Sequence, residues 1–244
     1  MGTAGCLVMK VLCLDVGGTH VKMLVSGRRV SRKFLSGPTL TPSQMVSHVQ
    51  ARTADWPRDA VSIGYPGLVV HGRIVAEPKN LGRGWVGFDF AAAFTCPVQI
   101  INDAAMQALG SYTGGRMLFL GLGTGLGSAM IVNGELEPME LAHLPYAKGR
   151  TYEEVVGAAG LERLGKKRWR KHVLNVIALL RAALEPDDIV VGGGNAKRLG
   201  ALPRGVRAGR NANAFRGGFR LWDEAARAAT HDAERKTTPG GRRR

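Results

Sequence analysis

The sequence predicts an α/β protein built of two related lobes that face each other, and three observations predict it. A strand, a glycine turn and a second strand occur twice, from Leu12 to Val25 and from Met117 to Val132. Apolar runs of strand length alternate with stretches of helical period along the chain. A carboxylate, Asp103, stands where the strand Val98–Ile101 hands over to a helical pattern that begins at Ala104. Open α/β sheets present reactive groups at such strand ends, and Asp is equally favoured there as a helix N-cap.

Composition bounds the classes. With 244 residues and 45% hydrophobic content the chain can bury a substantial core. Three cysteines, Cys6, Cys13 and Cys96, fall in no CxxC spacing, so neither a disulfide framework nor a zinc cluster is indicated and a cytoplasmic location fits. Lys10 interrupts the apolar residues 6–9 and strand-like sequence follows at once, so no signal peptide or membrane span is expected. A myristoylation signal fails as well, because Cys6 stands where Ser or Thr is needed. The first eight residues read as an extension.

Formal net charge is +15, and residues 147–244 carry most of it, with 22 Lys and Arg against 10 Asp and Glu. Such a surplus serves either a solvated surface or the attraction of a polyanion.

In chain order, Leu12–Val16 ends in Asp15, and Gly17, Gly18 and Thr19 turn the chain into Val21–Val25. Bare glycine amides and a hydroxyl in such a hairpin can approach a phosphate closely. Thr41 is a good N-cap for a helix over Pro42–Ala54, with Met45, Val46 and Val49 on one face. The strand Val61–Ile63 ends in the sharp GYPG bend, Gly72–Val75 returns, and Pro78–Trp85 is a loop carrying Asn80. A helix over Thr151–Leu164 starts with Glu154 in the capping-box position. Lys167–Leu184 is a longer helix whose first turns hold basic residues around Trp169. After the strand Asp187–Val191, the glycines Gly192–Gly194 lead into a helix start at Asn195. The segment NANAFRGGFRLW closes the core, and 237–244 is a disordered basic tail.

Three glycine motifs fail. The third glycine of GxGxxG falls on Leu126 in one run and on Lys197 in another, and GxxxxGK at Gly160–Lys166 is followed by Lys167 rather than Ser or Thr. Glu140 and His143 share one face if helical, but ELAH lacks the second histidine of a zinc HExxH.

Six motifs in order, LDVGGTHVK, IGYPGLV, PKNLGRGW, INDA, GLGTGLGSAM with ELAH, and IVVGGGNA, resemble the ROK family of sugar kinases within the actin-like ATPase superfamily, from Lys10 to Trp222. The motif spacing, the short length and YPGLVVHG look most like its polyphosphate glucokinase branch. The resemblance implies two RNase H-like lobes, 9–103 and 104–236, with substrates in the central cleft. It implies Asp103 as the general base toward the sugar 6-hydroxyl, and Asn80, Asn102, Glu140, His143 and Glu153 as sugar ligands, with Glu154 the competing alignment for the last. Donor phosphate falls to Gly17, Gly18, Thr19 and Lys22 in one lobe and to Gly123, Thr124, Gly125, Gly193 and Gly194 in the other. Mg2+ falls to Asp15, through water.

Many ROK members carry a cysteine-rich zinc motif after the ExxH histidine. Leu144–Arg150 contains no cysteine, so no structural zinc is expected. The expected reaction is glucose phosphorylation with polyphosphate, alone or beside ATP, as donor. A strictly ATP-dependent hexose kinase is the nearest alternative, and a sugar-binding regulator the more distant one. About a dozen residues precede Asp15, too few for the helix-turn-helix of the family's repressors, so nucleic acid is not an expected partner. A homodimer is the family's common assembly.

Overall fold

Two five-stranded mixed sheets with the same internal order organise the chain. The computed structural model describes residues 9–210 and 212–223. The expected N-terminal extension, the end of the second lobe to 236 and the expected basic tail lie outside the described residues.

In the first sheet β1 (Val11–Val16), apolar except for Asp15, is buried along its whole length, as a strand covered on both faces is. It pairs antiparallel with β2 (His20–Val25), and β2 with β3 (Arg32–Leu35); on its other side it runs parallel to β4 (Ala60–Tyr65), and β4 to β5 (Val98–Asn102). The second sheet repeats the plan. β6 (Arg116–Leu122) pairs antiparallel with β7 (Leu126–Val132), and β7 with β8 (Glu135–Met139); β6 runs parallel to β9 (Asp188–Gly192), and β9 to β10 (Val206–Ala208). The orders are 3-2-1-4-5 and 8-7-6-9-10, so the hairpin that occurs twice in the sequence is the start of a duplicated sheet. Two short hairpins, Val69–Val70 with Arg73–Ile74 and Pro145–Ala147 with Arg150–Thr151, stand apart from both sheets.

Strand alternation sorts the core into layers. Leu12, Leu14 and Ile63 face α1 (Pro42–Arg52) and α2 (Phe90–Phe94). Helix α1 begins as expected, with Thr41 and Gln44 completing a reciprocal capping box. Cys13 on the opposite face meets Met106 of α3 (Asp103–Ser111) and Ala214 of α6, which spans 213–223. In the second sheet Met117, Phe119 and Ile131 also pack on α3, whereas Leu118, Leu120 and Val191 meet α4 (Tyr152–Val156) and α5 (Ala158–Leu184). Thus α3 and α6 form a helical layer between the sheets.

That middle layer is tight. A Cβ at Gly110 of α3 would overlap the Asn213 carbonyl, and one at Gly217 of α6 would overlap that of Met106. Ser62 of β4, fully buried, donates to the Gly218 carbonyl and accepts from Trp222 Nε1 at 2.9 Å. The last described helix is therefore bonded into the first sheet although it follows the second.

Two expected helices differ. The helix expected over Thr151–Leu164 stops at Val156, because extended Gly157 (φ −73°, ψ −175°) passes against the Thr124 carbonyl with no room for a side chain. Its continuation is broken again at Gly165 (φ 71°, ψ 159°), where the helix carrying the basic run begins. The helix expected to start at Asn195 is a single 3-10 turn, Ala196–Arg198, which ends as the chain turns at Gly200 (φ 67°).

Candidate active site

The carboxyl ends of the parallel strands bring the acidic groups together. Asp15 lies beside Gly64 in the β1–β4 register, Gly64 beside Ile101 and Tyr65 beside Asn102 in the β4–β5 register. Gly64 permits close approach, since a Cβ there would stand 3.5 Å from the Asp103 Cα and would overlap the Met106 side chain.

Asn102, not Asp103, is the N-cap. Its Oδ1 accepts from the amides of Ala104 (2.9 Å) and Ala105 (3.2 Å), and its Nδ2 donates to the Gly67 carbonyl at 3.0 Å. Asn102 therefore has one Nδ2 hydrogen left for a ligand, while Asp103, the first helical residue, is released from capping. Asp103 Oδ1 accepts from the Ala104 amide at 2.8 Å. Burial raises the Asp103 carboxyl first, with the charges of Asp15 and Glu140 adding to it, and the pKa is pushed up to about 7. A carboxyl poised there is ionised in a useful fraction at neutral pH yet basic enough to accept a proton.

Two glycine loops flank this carboxylate. In the first, Ser36 holds the Gly17 carbonyl at 2.6 Å and the Thr19 carbonyl at 3.0 Å, leaving Gly18 and Thr19 exposed. The Lys22 Nζ is 2.9 Å from Asp15 Oδ2, so this cation reaches the buried carboxylate rather than solvent alone. In the second loop, Gly123 N donates to the Gly125 carbonyl at 3.1 Å and Thr124 is exposed. Gly193 (φ +83°) presses on the Leu122 backbone, and Asn195 Nδ2 donates to the Gly123 carbonyl at 3.1 Å. A Cβ at Gly127 would meet the Ala104 side chain, which sets this loop's strand against the start of α3.

The remaining polar residues come from both sides. Asn80 lies against Gly18, where an added Cβ would stand 3.0 Å from its own Cβ. Its neighbour Lys79 reaches Glu153 of α4, with Nζ 3.6 Å from Oε1. Glu153 covers Gly125 so closely that a Cβ there would collide with its carboxylate. Glu154 is engaged elsewhere, accepting from the Thr151 amide at 2.7 Å in the capping box. Glu140 and His143 sit on a 3-10 turn, largely exposed, 3.9 Å apart. Among the described residues no group of three or more His, Cys, Asp or Glu converges on a metal position.

Lys79, Ser36 and Asn195 were not anticipated. Lys79 and Asn195 adjoin motif residues in sequence, a usable signal. Ser36 has none, because only the β2–β3 pairing brings it to the loop. Glu77 shapes the Asn80 loop by accepting from the amides of Gly84, Trp85 and Val86.

A duplicated sheet with a glycine hairpin in each half and a carboxylate between them defines a two-lobed phosphotransferase fold, and the ROK family model matches residues 11–138: the chain belongs to the ROK family. Among its relatives, a polyphosphate glucokinase of Mycobacterium tuberculosis is 29% identical over 211 residues, covering 76% of this chain and 77% of that protein. The inorganic polyphosphate/ATP-glucomannokinase from Arthrobacter sp. strain KM superposes with a TM-score of 0.74 at 25% identity, over 86% of this chain and 97% of that one. A ROK family glucokinase from Streptomyces griseus, solved with glucose and AMPPNP, gives a TM-score of 0.69 at 19% identity, over 87% of this chain and 98% of that one. No described helix is long and apolar enough to cross a membrane.

Proposed function

We propose that this chain transfers a phosphoryl group from inorganic polyphosphate to the 6-hydroxyl of glucose. The observation that carries the reaction type is Asp103, a half-buried carboxyl with a pKa near 7 at the strand-end junction between two glycine loops. The donor is taken from the relatives named polyphosphate glucokinase and from the polyphosphate/ATP enzyme of like fold.

Asp103 accepts the proton of the sugar hydroxyl as the bond to phosphorus forms and the donor's terminal phosphoanhydride bond breaks, the polyphosphate leaving one phosphate shorter, while the loops hold the donor in line. Amides at Gly18, Thr19, Thr124 and Gly125 stabilise the phosphoryl oxygens, the Gly123 amide being spent on the Gly125 carbonyl within the loop. Asn80, Glu140, His143, Glu153 and the free hydrogen of Asn102 orient the sugar. Glu153 suits that role better than Glu154, whose carboxylate is committed to its cap. Asp15 fits Mg2+ as a hard oxygen donor beside the reacting carboxylate, with only Oδ2 engaged by Lys22. Such an ion, held through water, supplies charge to the donor phosphates.

The test is glucose 6-phosphate formation by purified protein with polyphosphate or with ATP, and with Asp103→Asn. Polyphosphate turnover that falls about 10²–10⁴-fold in the variant is expected. Turnover with ATP alone assigns the donor to ATP, and a variant that keeps most of its activity removes Asp103 as the base.

A further inference from the structure

Among the described residues, a run of cations without carboxylate partners begins beside the second glycine loop. Asn195 is bonded to that loop through its amide, 2.9 Å from the Leu122 carbonyl, and through its Nδ2 to Gly123. The 3-10 turn that follows carries Lys197 and Arg198, both exposed. The next residues are clasped by α5, as Arg170 donates to the carbonyls of Leu199 and Ala201. Around Arg170 stand Lys166, Lys167, Arg168 and Lys171, all exposed.

Among the described residues none of these cations lies within salt-bridge distance of a carboxylate, although Glu162 precedes them on the same helix. Spacings of three and four, as in Lys167–Lys171 and Arg168–Lys171, set like charges side by side and weaken the helix. The helix also restarts at Gly165, so these cations occupy its first turns, where its dipole opposes them. Fold stability does not account for them. Trp169 anchors the turn, fully buried and donating to the Val156 carbonyl at 2.8 Å. Beside it Arg168, Lys171, His172, Asn175 and Tyr146 line an open pocket of about 690 Å³.

Resting on the polyphosphate reading above, we propose that the donor's distal phosphates leave the second glycine loop over Lys197 and Arg198 and cross the first turns of α5 along Lys167 and Lys171. The interactions are electrostatic and repeat along an evenly charged chain, so the polymer can advance without a change of register. A short donor that fills only the glycine loops does not reach α5.

The experiment neutralises Lys167, Lys171 and Arg198 together (Lys167→Gln, Lys171→Gln, Arg198→Gln) and compares this triple variant with a charge-matched control on the loop before β3, on β3 and on the short hairpin after β4 (Arg29→Gln, Lys33→Gln, Arg73→Gln). Michaelis constants for long-chain polyphosphate, tripolyphosphate and glucose are measured across a salt series, with direct binding of long-chain polyphosphate to each protein. The expected result is a roughly tenfold rise in the long-chain constant relative to tripolyphosphate in the first variant only. Its salt slope should fall by about two, ~0.7 for each phosphate of a single-stranded polyanion that the protein no longer neutralises. Equal long-chain constants and affinities in variant and wild type overturn the track. If the wild type turns over no polyphosphate, the donor reading falls by itself, and the binding comparison still decides whether this surface holds the polymer. Loss of affinity for an RNA oligonucleotide with polyphosphate binding unmoved gives the surface to nucleic acid and overturns the proposal.

Discussion

Asp103 is the residue on which chemistry and stability pull in opposite directions. An unfolded Asp loses its proton near pH ~4, whereas the folded carboxyl holds it up to about 7. Below the lower value both states carry the proton and the site costs nothing. As pH rises from about 4 to 7 the folded state loses stability relative to the unfolded, and above that the deficit is constant. Asp103→Asn keeps the Oδ1 acceptor for the Ala104 amide and removes the charge. We expect its stability at pH ~8 to exceed that of the wild type by about 1–2 kcal/mol after allowance for solvent screening, the gain vanishing near pH ~4. A thermal melt of both proteins at the two pH values checks this, and an Asn variant less stable at pH ~8 contradicts it. With Asp103 as the proposed base, kcat/KM for glucose should fall about tenfold per pH unit below pH ~7. A profile flat from about 5 to 8 would separate the reaction from this carboxyl. The strand-to-helix junction made Asp103 legible in the sequence. Its release from capping was not, because either Asn102 or Asp103 satisfies the local rule and only the helix geometry chooses.

At the scale of elements, the crossing of α3 and α6 is the packing on which the site's placement depends. Helix α3 carries Asp103 at its start and packs one side on each sheet, so a shift of this helix moves the carboxylate against both glycine loops. Gly110→Ala should cost about 1–3 kcal/mol by overpacking against the Asn213 carbonyl, measurable by urea unfolding. Activity per folded molecule should fall as well, since the strain is relieved by moving the helix. An alanine variant of unchanged stability would mean that the helices separate freely. Composition and period announced α3 and much of α1, whose caps and apolar faces are local. The Thr151–Leu164 expectation failed because Gly157 and Gly165 obey close approaches and backbone angles that no helical period reports.

For the whole molecule, the charge surplus and the duplicated sheets act together. Each half supplies one glycine loop, and the turn that follows the second carries exposed cations that, among the described residues, have no carboxylate partner. If polyphosphate is the donor, its Michaelis constant should rise steeply between low and physiological salt, while that of uncharged glucose stays within about twofold. A polyphosphate constant insensitive to salt would leave the net charge of +15 to solubility.

The sequence by itself determined the α/β class, the repeated glycine hairpin and the order of the family's motifs, because strand period, turn chemistry and motif spacing are local properties. It also pointed to Glu154 as a cap, through its spacing from Thr151. Tertiary structure alone decided that Asn102 Nδ2 reaches the Gly67 carbonyl and that Lys79 reaches Glu153. It alone joined α6 to the first sheet through Ser62, and Arg170 to the turn after Arg198. These choices depend on groups separated by tens of residues, whose approach is set by packing two sheets about one shared helical layer. No window of sequence contains that distance.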